Sequence, residues 1–186
     1  MAPFRNSGTG PTPGTSADDA AEADPHDVAR SIVLRQLTAS PKSRYQLARK
    51  LADRDVPDEV AEAVLDRFEE VQLIDDAEFA NMWVRSRVQT KGLAARALQR
   101  ELADKGITGD LAEEALSQIT DRDELQAARD LVGRKLKTGI DYSDRTVRDK
   151  HTRRLVSMLA RKGYSPSLAF QVVGEAIDAL AEDQRP

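Results

Sequence analysis

The chain has 186 residues, 40% hydrophobic and 32% charged, with a formal charge of −4 and only one Trp, three Tyr and four Phe. Few aromatics among many Ala, Leu, Arg and Glu favour a helical protein over a β-protein, and the absence of cysteine excludes disulfides and thiolate chemistry. No apolar run approaches the roughly 20 residues of a membrane span, and the N-terminus lacks the hydrophobic core of a signal peptide, so a soluble, cytoplasmic protein without membrane contact is expected.

Residues 1–26 are rich in Pro, Gly, Ser and Thr, then in Asp and Glu. Such a segment buries too little apolar area to offset its ordering entropy, so a disordered tail is expected. The first helix opens near Asp27, with a stripe of Val28, Ile32 and Leu37 flanked by Ala29 and Val33. Pro41 disfavours helix at Ser40. Ser43 caps a second helix carrying Leu47 and Leu51, and Pro57 opens a third whose apolar face is Val60, Val64, Leu65 and Phe68.

The next unit starts at Asp75, where Asp75 and Glu78 have capping-box spacing. Phe79, Met82, Trp83 and Ser86 then fall within about 100° of a helical wheel. After Gly92 a basic helix turns Ala94, Leu98 and Leu102 inward and Arg96 and Arg100 outward. Gly106 has the place of a left-handed residue closing that helix, and Thr108 opens another. The last unit begins near Asp121, with Leu125, Ala128 and Leu131 or Val132 as core. A loop covers residues 139–144, a long helix runs from Arg145 to Lys162, and Gly163 ends it. Ser165-Pro166 starts the final helix, through Leu168, Val172 and Ile177, before a polar tail.

The units repeat. Leu47 and Leu51 match Leu98 and Leu102, which match Leu155 and Leu159, at offsets of 51 and 57 residues. The turns align Asp55, Gly106 and Gly163, then Val56, Ile107 and Tyr164. The third helices align Val60, Leu111 and Leu168, then Val64, Ala115 and Val172. Asp tolerates the left-handed conformation better than most residues. The expectation is an all-α protein of three tandem three-helix repeats (residues 27–72, 73–120 and 121–180) forming an elongated, curved array, with a tail over 181–186. The competing reading is one irregular helical globule whose helices merely share a period.

No enzyme site emerges. The two histidines, His26 and His151, lie far apart in sequence, and neither a phosphate-binding loop nor a dinucleotide fingerprint is present. No cofactor and no metal are expected. Trp83 fits core better than a base-stacking platform. Charge is the remaining signal. Residues 57–78 hold nine acids against Arg67 alone, whereas residues 132–163 hold ten Lys/Arg against three Asp. Lys150, Arg153, Arg154 and Arg161 share one face of the long helix, with Lys162 at its end. Arg96 is the repeat equivalent of Arg153, and Arg85, Arg87 and Lys91 add charge where the first two middle helices meet. Such faces are often only solvated; here they also suit phosphate backbones or an acidic protein surface.

The run Leu73-Ile74-Asp75-Asp76-Ala77-Glu78-Phe79-Ala80, followed by Arg85-Ser86-Arg87, Lys91-Gly92, Arg96, Glu101-Leu102 and Lys105-Gly106-Ile107, resembles the hallmark of the RecX family. The resemblance spans about residues 28–180. It implies three tandem three-helix repeats and a non-enzymatic regulator of RecA recombinase; nothing in the sequence suggests a coiled-coil or two-fold interface, so a monomer is expected. Such a regulator binds RecA and its single-stranded DNA filament and inhibits ATP hydrolysis and strand exchange, modulating recombination, DNA repair and the SOS response. The basic faces would then approach RecA or DNA directly. The alternative is a helical DNA-binding protein acting without RecA.

Overall fold

The computed structural model describes residues 24–137 and 139–183, and among them every regular element is a helix. In chain order these are α1 (Pro25–Ala39), α2 (Arg44–Ala52), α3 (Asp58–Glu70), α4 (Asp76–Lys91), α5 (Ala95–Ala103), α6 (Gly109–Ser117), α7 (Asp121–Lys135), α8 (Arg145–Arg161) and α9 (Pro166–Asp183). They pack mainly within three consecutive triads, each around its own apolar cluster. The array of tandem three-helix units replaces the single-globule alternative.

The repeated residues carry the scaffold. Leu47, Leu98 and Leu155, and Leu51, Leu102 and Leu159, are all buried, each stabilising its unit by about 1.5–3 kcal/mol relative to exposure. The second helix of every unit ends in the same way. Asp55, Gly106 and Gly163 all have positive φ, at 57°, 78° and 94°. Val56, Ile107 and Tyr164 donate back to the carbonyls of Leu51, Leu102 and Leu159 at 3.2, 3.0 and 3.2 Å. The residues before them donate to Ala52, Ala103 and Ala160. This is the paired bonding of a Schellman motif, used three times.

Several expected details shift. Asp24 caps α1 by accepting from the His26 amide at 2.9 Å, so this helix takes in Pro25 and His26. The rest of the expected N-terminal tail, residues 1–23, lies outside the described residues. At the other end α9 continues through residue 183, into the expected polar tail; residues 184–186 lie outside the description. On α1 the buried positions are Ala29, Ile32 and Val33, and Val28 is exposed. Pro57 is the N-cap of α3 rather than its first turn. On the third helices the matched Val60, Leu111 and Leu168 stay at the rim, Leu111 exposed, while Ala61, Ala112 and Ala169, one residue on, are buried. Small side chains at that position let α3, α6 and α9 approach their partners closely.

The start of α4 also differs. Asp75 accepts from the Glu78 amide at 2.8 Å. Glu78 pairs its own carboxylate with Arg85 at 3.0 Å, so one half of the expected capping box forms. The buried face of α4 is Phe79, Ala80 and Val84; Met82 and Trp83 are partly covered and Ser86 is exposed. Complete capping boxes form instead at Ser43–Gln46 and Thr120–Asp123.

Candidate interaction surface: joints and a basic seam

A helix start leaves backbone N–H groups without intrahelical partners. Each of the first two units meets part of this need with the unit that follows. Between units 1 and 2, Ser43 donates its hydroxyl to the Lys105 carbonyl at 2.6 Å, and the Arg44 amide donates to Asp76 Oδ1 at 2.8 Å. Between units 2 and 3, the Ala94 amide donates to the Lys162 carbonyl at 3.0 Å, and the Ala95 amide to Glu124 Oε1 at 2.6 Å. The two joints are equivalent in the repeat: the start of a middle helix meets the next unit's turn and its first-helix carboxylate. Tyr164 adds a bond from its hydroxyl to the Gly92 carbonyl at 3.1 Å. Burial holds the Tyr164 phenol up at about 12, and burial also raises the Asp76 carboxyl despite the Arg44 amide beside it.

The joints explain why the turn residues differ. A Cβ at Gly106 would lie 2.3 Å from Tyr45 Cβ, and one at Gly163 would lie 2.7 Å from the Ala97 amide nitrogen. These turns need both positive φ and an absent side chain. The Asp55 turn lies in the first described unit and is exposed, and among the described residues no unit docks on it. It needs only the positive φ, which Asp supplies.

Charges are more paired than their spacing in sequence suggests. Arg44 reaches Glu62, Asp66 and Glu69 at 2.5, 2.7 and 2.7 Å, drawing together the acidic stretch. Glu101 accepts from Trp83 Nε1 at 2.9 Å and holds Arg87 at 3.1 Å and Lys91 at 3.6 Å. The Arg87 guanidinium and the Lys105 ammonium each lie 3.9 Å from the Trp83 ring centroid, with Phe79 stacked beside it. Trp83 is thus the half-buried centre of a paired cluster, and Arg87 is a structural cation.

The predicted basic residues do not form one surface. Arg96 and Arg100 are exposed on α5. Arg85, Lys91 and Lys162 converge on the seam between units 2 and 3, where the end of α4 and the end of α8 face the length of α7 across a groove of about 750 Å³. Arg134 and Lys135, at the end of α7, complete its cationic rim. Val84, Val88, Leu131 and Met158 floor it, and Asp123 and Asp130 line one wall. A second trough of about 420 Å³ shares Arg134, Lys135 and Met158 and adds Lys137, Arg154 and Arg161. Burial lowers the Lys162 ammonium, assisted by Arg134, Lys91 and Lys135; its Nζ donates to the Lys91 carbonyl. Lys150 and Arg153 stand exposed on α8 outside both hollows. Arg134, Lys135 and Lys137 were not singled out in the sequence. Their place at a helix C-terminus, where cations complement the dipole, gave no hint that α8 would come alongside.

Among the described residues no helix is long and apolar enough to cross a membrane, and no group of three His, Cys, Asp or Glu is placed to hold a metal.

Comparisons with known proteins agree with this architecture. The model of the RecX first three-helix domain matches residues 29–68, and that of the RecX second three-helix domain matches residues 75–116. The regulatory protein RecX of Streptomyces coelicolor is 51% identical over 162 residues, covering 86% of this chain and 83% of that protein. That of Thermobifida fusca is 44% identical over 170 residues, covering 89% and 88%. A crystal structure of a regulatory protein RecX superposes with a TM-score of 0.67 at 25% identity, covering 83% of this chain and 74% of that one. RecX from Lactobacillus salivarius gives 0.68 at 22% identity, covering 84% and 99%, a likeness of fold. By repeat, joints and sequence, the chain belongs to the RecX family of regulatory proteins.

Proposed function

We propose that this chain binds RecA recombinase and the RecA–single-stranded DNA filament in the cytoplasm, and inhibits ATP hydrolysis and strand exchange without catalysis of its own. In this reading it acts as a monomer and modulates recombination and DNA repair. The observation that carries the reading is the seam: two units bonded backbone to side chain and backbone to backbone, with a cationic groove along the joint. A surface spread over two joined units suits an extended partner better than a small substrate. Membership of a family of regulatory proteins supports the same conclusion.

The test is the single-stranded-DNA-dependent ATPase of RecA, titrated with the protein. Inhibition at equal or lower ratios to RecA is expected. A flat titration with demonstrably active RecA would remove the proposal.

A second reading, direct DNA binding without RecA, is favoured by Lys150, Arg153 and Arg161, which have no carboxylate partner among the described residues. It predicts binding to DNA alone that weakens steeply with salt, as condensed counterions are released.

A further inference from the structure

We infer that the groove between units 2 and 3 docks an acidic segment of the recombinase that carries aliphatic side chains, and does not dock the nucleic acid. The inference rests on the RecA reading above and specifies which surface meets which component of the filament.

The rim supplies the charge. Arg85, Lys91, Arg134, Lys135 and Lys162 border the groove against two acids. Arg134, Lys135 and Lys162 have no carboxylate partner among the described residues. The floor supplies the discrimination. It is aliphatic, made by Val84, Val88, Leu131 and Met158, and no aromatic ring lines either this groove or the trough that continues from it. A single strand of nucleic acid gains from cations along its backbone and from rings on which its bases stack. The rings are missing here; the one tryptophan lies elsewhere, half-buried against Arg87, Lys105 and Phe79. An aliphatic floor rewards apolar side chains, and Met158 adapts to their shape.

Asp123 and Asp130 point to the same partner. A phosphate backbone carries a charge at every step and would meet them. A peptide places its acids singly, so it can set carboxylates against Arg134 and Lys135 and a neutral residue against Asp130.

Three readouts on the full chain test this: inhibition of the RecA ATPase, binding to RecA without DNA, and binding to a single-stranded oligonucleotide alone. Arg134→Glu with Lys135→Glu changes two exposed residues, so folding should survive, as circular dichroism would verify. This pair should lose at least about ten-fold in both RecA readouts while oligonucleotide affinity changes by less than about two-fold. Met158→Gln keeps the side-chain length, removes apolar floor, and should weaken RecA binding several-fold with no effect on the oligonucleotide. Asp130→Asn should tighten RecA binding. Variants that inhibit like the parent chain would overturn the inference. So would loss of oligonucleotide affinity in step with loss of inhibition, which would assign the groove to nucleic acid. A parent chain that does not inhibit at all would remove the RecA reading and this one together, and that outcome is seen before any variant is made.

Discussion

Gly163→Ala tests whether the joints matter energetically. Gly163 has φ 94°, so any side chain there is strained; left-handed backbone costs an L-residue about 1–2 kcal/mol. The new methyl would also lie 2.7 Å from the Ala97 amide nitrogen and 2.7 Å from its Cβ. Most of this is backbone and a side-chain root, which cannot swing aside like the tip of a long residue, so overpacking adds about 1–3 kcal/mol. The expected loss is therefore about 2–5 kcal/mol. Gly109→Ala is the control: φ is 58°, but the methyl would meet nothing within 4 Å, leaving only the strain of about 1–2 kcal/mol. Urea unfolding followed by far-ultraviolet circular dichroism reports all helices, while fluorescence of Trp83, the single tryptophan, reports unit 2. Gly163→Ala should lower the midpoint more than Gly109→Ala and separate the two transitions, because unit 3 loses its dock. Equal effects of the two substitutions would refute the close-packed joint. Asp55→Gly should change stability by less than about 1 kcal/mol, since relief of strain and the added freedom of glycine oppose each other at this exposed turn.

Arg44→Ala should cost about 1 kcal/mol at low salt and less at high salt, because its three carboxylate partners are 39–64% exposed and therefore screened; salt-independent loss in urea unfolding would contradict a mainly electrostatic role. Lys150→Glu with Arg153→Glu should leave the melting temperature unchanged and, if DNA is bound directly, reduce the slope of log affinity against log salt by about two; an unchanged slope would remove that face from DNA contact. Tyr164 is raised in the fold from 10.0 to about 12, so its contribution is complete below pH 10 and is lost as pH rises through about 12. Stability should fall across that window, and Tyr164→Phe should flatten the fall; an unaltered profile would show that another group is responsible.

The helices were legible because they rest on local rules. Leucines at helical spacing, Ser43 and Asp75 at helix starts, and Gly106 and Gly163 at helix ends each act within a few residues of themselves. The same locality produced the misses. Spacing alone turns Phe79, Met82 and Trp83 inward on α4, but which flank is covered depends on α6, so Ala80 and Val84 join Phe79 inside. Alanines at 61, 112 and 169 carry no hydrophobic signal strong enough to displace a neighbouring Val or Leu, yet close helix approach selects them. The basic face of α8 was visible as a helical row, whereas its division into seam-lining and outward residues was not.

The sequence by itself therefore determined a helical repeat, its period, its left-handed turns and the excess of cations in the last unit, because caps, turns and apolar spacing act over a few residues. Tertiary structure alone decided which charges stay available. Arg87 is claimed by Glu101 and Trp83, Arg44 collects three acids from another helix, and Arg134 and Lys135 are carried to the seam beside Lys162. It also decided why glycine recurs in two turns and Asp suffices in the first. The physical reason is the same in both cases: pairing and close approach are set by distances between helices, within a unit or across a joint, and local spacing in the chain does not encode those distances.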